Sequence, residues 1–542
     1  MVREGTAIEF ETLIQGGTVV DGTGAARHRA DVGLRGGRIV AVGRLEGATA
    51  ARVIDATGRV VAPGFIDIHS HSDVTLLDDP GGESKVHQGV TTDVPGNCSY
   101  SPFPIGPGGF REMRDIFGPE LTSERDWDWT DLDGWAARHH ERGISMNLAP
   151  LVGHAALRVA VGATGDRAPT ADELSAMQHL AAESVEQGAF GLSTGLTLTP
   201  GSYSTTEEII ALATAIAPYP GAFYATHARL WAGQHVAAVE ESARIGIEGG
   251  VPVEYSHIAI IDKRAYGHPE DMIAVVDRAR DRGLDITFDV YPYIAAGTGL
   301  MQFVPEWAQA GGVQAMLDRL RDPATRARVR ISTAEGWFRG MPWDWESMVL
   351  SDIGTDANRP LIGRSIAEAA SIRGEDPLDT FLNLIDEESN GVAVVVFNRR
   401  EPDMRAFLVH EAAMVGSDGT AISPAGVHGP PKQPHPRYYG TFPRILGRYV
   451  RDEPVLTLES AIHKMTGMPA RRLGLTDRGR VAEGAAADLV VFDPATIIDR
   501  ASFESPHQYP AGIEAVLVNG EVVVTAGNHT GARPGRVLRR GA

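Results

Sequence analysis

Residues 189–257 read AFGLSTGLTLTPGSYSTTEEIIALATAIAPYPGAFYATHARLWAGQHVAAVEESARIGIEGGVPVEYSH. Short apolar stretches (AFGLSTG, AFYATH, VPVEYSH) alternate here with longer amphipathic ones (EEIIALATAIAPY, QHVAAVEESARIGIEGG). A short buried strand followed by an amphipathic helix is a β–α unit, and repeated units of that kind imply a parallel sheet. The alternation continues on both sides. Upstream, ISMNLAPLVGH (144–154) precedes a helix through DELSAMQHLAAESVEQG (172–188), and downstream EDMIAVVDRARDRG (270–283) leads into LDITFDVYPY (284–293). A count near eight units over about 400 residues favours an α/β fold of the (β/α)8 TIM-barrel type over an open sheet.

Both ends of the chain read differently. TLIQGGTVVDG, ADVGLRGGRIVAVG and ARVIDATGRVVAPG are β-branched runs around glycine turns, and ADLVVFDP and EAVLVNGEVVVTAG repeat the pattern near the C-terminus, the second around an Asn-Gly pair favoured in hairpins. The expected organisation is therefore a small β domain built from residues 1–62 and 479–542, with the barrel over 63–478 between them. Residues from about 296 to 350 break the β–α alternation and read as an inserted subdomain, a candidate lid that would bring Trp307 or Trp337 near a ligand.

Composition excludes several classes. With 542 residues, 43% hydrophobic and 22% charged, the chain can bury a large core and is not a disordered or collagen-like polymer. Its charge, 50 − 70 = −20, repels phosphate backbones and argues against a nucleic-acid partner. One cysteine, Cys98, excludes an intrachain disulfide and fits a reducing compartment. The first residues lack the apolar core of a secretory signal, and the most continuous apolar stretch, Val392 to Phe397, is far short of the roughly 20 residues of a membrane helix. A cytoplasmic protein acting on a small molecule, without membrane contact, is expected; the sequence leaves its oligomeric state open.

Metal-capable residues fall where the strands run out. FIDIHSHSD ends on His69 and His71, whose i, i+2 spacing puts both imidazoles on one face of a strand. TTDVPGNCS ends near Cys98, AFYATH on His227, VPVEYSH on His257 and AAMVGSDG near Asp418. Each has a plainer meaning alone: surface histidines, a small buried cysteine, satisfied core histidines, a helix-capping aspartate. Together, at the C-terminal ends of parallel barrel strands, they meet over one mouth. A thiolate among imidazoles favours Zn²⁺ over magnesium or calcium. His154 also ends a strand, where packing is at least as good a reading, and Tyr291 and Tyr293 face the mouth or its wall.

The ordered motifs VVAPGFIDIHSHSD, GVTTDVPGNCSYSP, GAFGLSTGL, YATHAR, DVYPY and MVGSDG, followed by HPRYYGTFPRILGRYV, KMTGMPARRLGL and GARPGRVLRR, resemble the N-acyl-D-amino-acid deacylase (D-aminoacylase) family of the amidohydrolase superfamily over nearly the whole chain. The resemblance implies a metal-dependent barrel with a small β domain. It implies a tightly held zinc on Cys98, His227 and His257, a second, weaker position lined by His69 and His71 that shares the cysteine, and Asp418 as the catalytic acid/base. Many binuclear amidohydrolases bridge their metals with a carboxylated lysine, but the four lysines here (Lys85, Lys263, Lys432, Lys464) read as helical or loop residues, so Cys98 is the better bridge.

One position departs from the family. SHIAI places Ala259 where the family usually carries a lysine that contacts the substrate carboxylate. That duty could pass to Arg229, Arg437 or Tyr293, or the substrate could lack a free α-carboxylate. Three readings follow: hydrolysis of a linear N-acyl-D-amino acid; hydrolysis of a cyclic amide, a dipeptide-like amide or a lactone; and a barrel retained only for binding, which the complete ligand set disfavours.

Overall fold

The computed structural model describes residues 9–106, 109–121 and 127–541. Parallel strand positions succeed one another around the centre: Phe65–Asp67, Val90–Asp93, Asn147–Leu148 with Val152–Gly153 close behind, Gly191–Gly195, Phe223–His227, Val253–Tyr255, Ile286–Val290 and Ala413–Val415. Every pairing between neighbours in this series is parallel. A parallel bridge between Ser70 and Gly419 brings the last strand back to the first, with Asp418 N–H donating to the His69 carbonyl (2.8 Å) and His71 N–H to that of Gly419 (3.0 Å). The fold is the expected barrel of TIM type. Its strands are short and buried on both faces, as parallel sheets under helices require.

The intervening helices carry their own start and stop signals. Thr170 and Glu173 form a capping box at the head of Ala171–Glu186, and the Thr205 side chain accepts the Glu208 N–H at the head of Thr206–Ile216. His235–Gly249 stops at Gly250, whose φ of 71° suits the left-handed terminus that only glycine adopts freely.

Nine strands from the two ends of the chain make one further sheet. Val60–Pro63 pairs parallel with Glu9–Val19 on one side and antiparallel with Leu489–Phe492 on the other, which joins the N-terminal to the C-terminal segment. This sheet has a core of its own, with Ile14, Val32, Val61, Leu489, Val491 and Leu517 fully or almost fully buried. The Asn-Gly pair makes the hairpin between Ile513–Val518 and Glu521–Thr525, with φ of 48° at Asn519 and 86° at Gly520. Beyond His529 the tail leaves the sheet. Val537 bridges Leu148 of the barrel, and Arg540 N–H donates to the Gly188 carbonyl.

Between Ile286–Val290 and Ala413–Val415 the chain makes a long excursion. Strands Ala296–Gly299, Met348–Ile353 and Val392–Val396 form an antiparallel sheet with Val392–Val396 in the middle, accompanied by helices that include Gly312–Arg321, Pro323–Ala334 and Pro377–Glu387. The excursion thus runs well past residue 350. Among the described residues, no helix is long and apolar enough to cross a membrane.

Candidate metal centre and substrate cavity

Six side chains from five strand ends converge. His69, His71, Cys98 and Asp418 place one ligand-type atom each within 4.8 Å of one another, and so do Cys98, His227 and His257, with Cys98 common to both groups. Cys98 Sγ lies 3.3 Å from His69 Nε2 and 3.4 Å from His257 Nε2. Asp418 Oδ1 lies 3.0 Å from His71 Nε2 and 3.6 Å from His69 Nε2. The barrel dictates this meeting, because residues 69, 98, 227, 257 and 418 each sit where a parallel strand gives way to its loop.

The backbone there is strained. Cys98, His257 and Asp418 have φ of 51°, 37° and 50°. A non-glycine residue in that region costs of order 1–3 kcal/mol and persists where its surroundings hold it. His257 N–H donates to Asp289 Oδ1 (3.0 Å), and Asp418 is fixed by its own N–H bond to His69. The strain turns these side chains inward at the turn out of each strand.

Electrostatics favour a thiolate. Burial pushes the Cys98 thiol up, but His69 and His257 more than reverse this and hold it well below its usual range. Burial likewise opposes ionisation of Asp418, yet Arg437, whose Nη1 is 2.8 Å from Oδ2, together with His71 keeps the carboxyl well below the ordinary carboxylate value. His69 Nδ1 faces Asp289 Oδ2 at 3.1 Å, the carboxylate–histidine support that orients metal-ligating imidazoles. One buried thiol among four imidazoles and a carboxylate, backed in this way, fits a zinc-type ion.

A cavity opens beside this cluster. Cys98, His71, His227, His257, Asp418 and Arg437 form its polar end. Phe117, Leu198, Leu230, Ile261, Phe303 and Trp337 give it an apolar wall, to which the excursion contributes Phe303 and Trp337. Trp307 instead lines a neighbouring recess.

Four of the expected substrate contacts do not reach this cavity. Arg229 is held by Glu241 (Nε–Oε2 3.2 Å) and the Ser202 and Ser204 carbonyls, because the chain turns after Ala228 and offers Leu230 to the cavity instead. His154 begins the helix His154–Ala160 and joins Glu208 (2.8 Å), which Arg158 grips with Nη1 on both oxygens. Tyr293 packs on His435 and donates its hydroxyl to Asp499 at 3.4 Å. Tyr291 stands behind the cavity, its ring under the guanidiniums of Arg399 (4.0 Å) and Arg437 (4.8 Å).

The sequence does not single out Asp289, Asn398 or Arg399, and it gives Lys85 only as a helical residue. Asp289 lies at the C-terminal end of the strand Ile286–Val290, where the barrel places site residues, so its position in DVYPY was a signal that could have found it. Lys85 lies in the short helix Glu83–Val86, but its Nζ is fully buried at 2.5 Å from Asp67 Oδ2, 2.7 Å from Ser417 Oγ and 3.4 Å from Asp93 Oδ1. Asn398 and Arg399 follow the strand Val392–Val396 and line the cavity. No local motif marks them, since their position depends on how the excursion folds back.

Comparison with known proteins places these features. A model of the amidohydrolase family matches residues 52–524. D-aminoacylase from Alcaligenes xylosoxydans xylosoxydans is 37% identical over 98% of this chain and 98% of its own length. N-acyl-D-glutamate deacylase from the same organism is 38% identical over 98% of this chain and 97% of its own. The crystal structure of N-acyl-D-glutamate deacylase from Bordetella bronchiseptica, complexed with zinc and a phosphonate mimic of the tetrahedral intermediate, superposes with a TM-score of 0.82 at 34% identity, covering 98% of this chain and 100% of that one.

Proposed function

Because the chain belongs to the amidohydrolase family, we propose that it is a zinc-dependent hydrolase of a linear amide, converting an N-acyl-D-amino acid and water into a D-amino acid and a carboxylate. The observation that carries this reading is the convergence of Cys98, His227 and His257, with Asp418 across the same cavity. The D configuration rests on the relatives named for D substrates.

Cys98, His227 and His257 would hold the zinc, and His69 and His71, with Cys98 shared, would line a second position. Zinc in such a site supplies an acidified water and a Lewis acid for the acyl oxygen. Asp418, kept ionised by Arg437 and His71, is ready to take the proton of the attacking water. As the new C–O bond forms and the C–N bond breaks, Asp418 passes that proton to the nitrogen, which an amide needs because an amide anion leaves poorly. The Arg437 ion pair and the His71 contact keep the carboxylate aimed through both transfers. The apolar wall receives an uncharged acyl group or side chain and excludes bulk water. A cytoplasmic setting suits a site that depends on a reduced thiol.

The cyclic-amide reading rested on the missing cation at Ala259. Ala259 does line the cavity, but so does Arg399, which leaves a cation for a free carboxylate. Replacing Asp418→Asn tests the assignment. We expect zinc content to be retained and turnover of N-acyl-D-amino acids to fall by about 10²- to 10⁴-fold; turnover at the wild-type rate would remove Asp418 from the proton path.

A further inference from the structure

Resting on that reading, we propose that Arg399 is the specificity residue that receives the free α-carboxylate of the substrate. Arg399 lines the same cavity as Cys98, His257 and Asp418. Its Nε and Nη1 are closed off from solvent and have no hydrogen-bond partner, and among the described residues no carboxylate lies within ion-pair distance of the guanidinium. The Tyr291 ring lies 4.0 Å beneath its Cζ and orients it.

Such an arrangement asks for an anion. A guanidinium stays protonated in proteins, and a desolvated charge without a counter-charge is costly. Other groups nearby do not answer the need. Arg437 is already engaged with Asp418 at 2.8 Å. Burial, reinforced by Arg437, holds the His435 imidazole well below its usual value and so uncharged. Ala259 offers no charge. The anion must therefore come with the ligand, and the planar fork of an arginine suits a carboxylate. With Arg437 held by Asp418, Arg399 is the guanidinium left for a carboxylate, and the wall around it (Phe117, Leu198 and Trp337, with the uncharged Thr298, Gln302 and Asn398) offers no further cation for an acidic side chain, so we assign the α-carboxylate to Arg399.

The test compares zinc-loaded wild type, Arg399→Met and Arg399→Lys by calorimetry with D-leucine and with 3-methylbutylamine, which lacks only the carboxylate. D-glutamate serves as a further arm. We expect Arg399→Met to weaken D-leucine by about 10- to 100-fold, to leave 3-methylbutylamine unchanged and to keep its zinc content and melting temperature, with Arg399→Lys recovering part of the loss. Unchanged D-leucine binding, equal weakening of both ligands, a loss confined to D-glutamate, or a wild type that does not bind D-leucine would each overturn the proposal. Wild-type turnover of N-acetyl-D-leucine is measured beside this series. It judges the hydrolytic reading separately, because D-leucine binding does not depend on turnover.

Discussion

A single buried residue can set how the fold responds to its surroundings, and His139 is the clearest case outside the metal cluster. It lies in the helix Leu132–Arg142, edge-on to Trp135 with ring centroids 4.5 Å apart, and its Nε2 is 3.3 Å from the Asp73 carbonyl. Burial pushes its imidazole down to about 3. An unfolded chain protonates the same ring near pH 6.5. The folded state therefore binds fewer protons between these values, and stability present above pH 6.5 is lost as the pH falls toward 3. Replacing His139→Phe removes this contribution. Urea unfolding between pH 4 and 6 is expected to show a pH slope shallower by about 1.4 kcal/mol per unit than wild type, and an identical slope would contradict it. The strained residues of the cluster carry the same lesson in the backbone. The sequence marks Cys98, His257 and Asp418 by type and position, but the positive φ values of His257 and Asp418 are held by Asp289 and by the His69 carbonyl, contacts that no local pattern announces.

At the scale of elements, the strands of the barrel were legible and their fastenings were not. AFGLSTG, AFYATH and VPVEYSH fall on Gly191–Gly195, Phe223–His227 and Val253–Tyr255, because an apolar run beside an amphipathic helix has few other solutions. Lys85 lies in a helix, as the sequence indicates, but its burial among the strand ends was not legible, since charge type says nothing about burial. Its side chain ties three strand ends together, linking Asp67 of the first strand, Asp93 of the second and Ser417 beyond the last. Asp67 in turn accepts the Ser417 N–H at 2.8 Å and so fixes the segment that carries Asp418. Replacing Lys85→Met leaves Asp67 and Asp93 buried without their cation. We expect a loss of about 3–5 kcal/mol in urea unfolding, with zinc affinity reduced. A variant as stable as wild type would show that the cluster is neutral to folding.

Over the whole molecule, the sequence foretold the barrel and the sheet assembled from both ends, because β-branched runs around glycine turns appear at both termini and Val60–Pro63 meets Leu489–Phe492. The excursion extends to Val396, since the helices after residue 350 carry the same amphipathic pattern as those of the barrel and give no signal of where it ends. The last residues dock on the barrel at Leu148, a long-range pairing that a β-rich tail does not reveal. The same global folding explains why Arg229 was favoured and Arg399 missed: adjacency to a ligand motif is visible in sequence, whereas the return of a strand from a long excursion is not. What the architecture accomplishes is to gather residues 98, 227 and 257, remote in the chain, around one point. The most direct measurement is X-ray absorption at the zinc edge of the metal-loaded protein, since Cys98 is the chain's one cysteine and hence its one thiolate. A sulfur shell at about 2.3 Å beside nitrogen at about 2.0–2.1 Å, with the sulfur lost in Cys98→Ala, is the predicted result; a first shell of nitrogen and oxygen alone would contradict it.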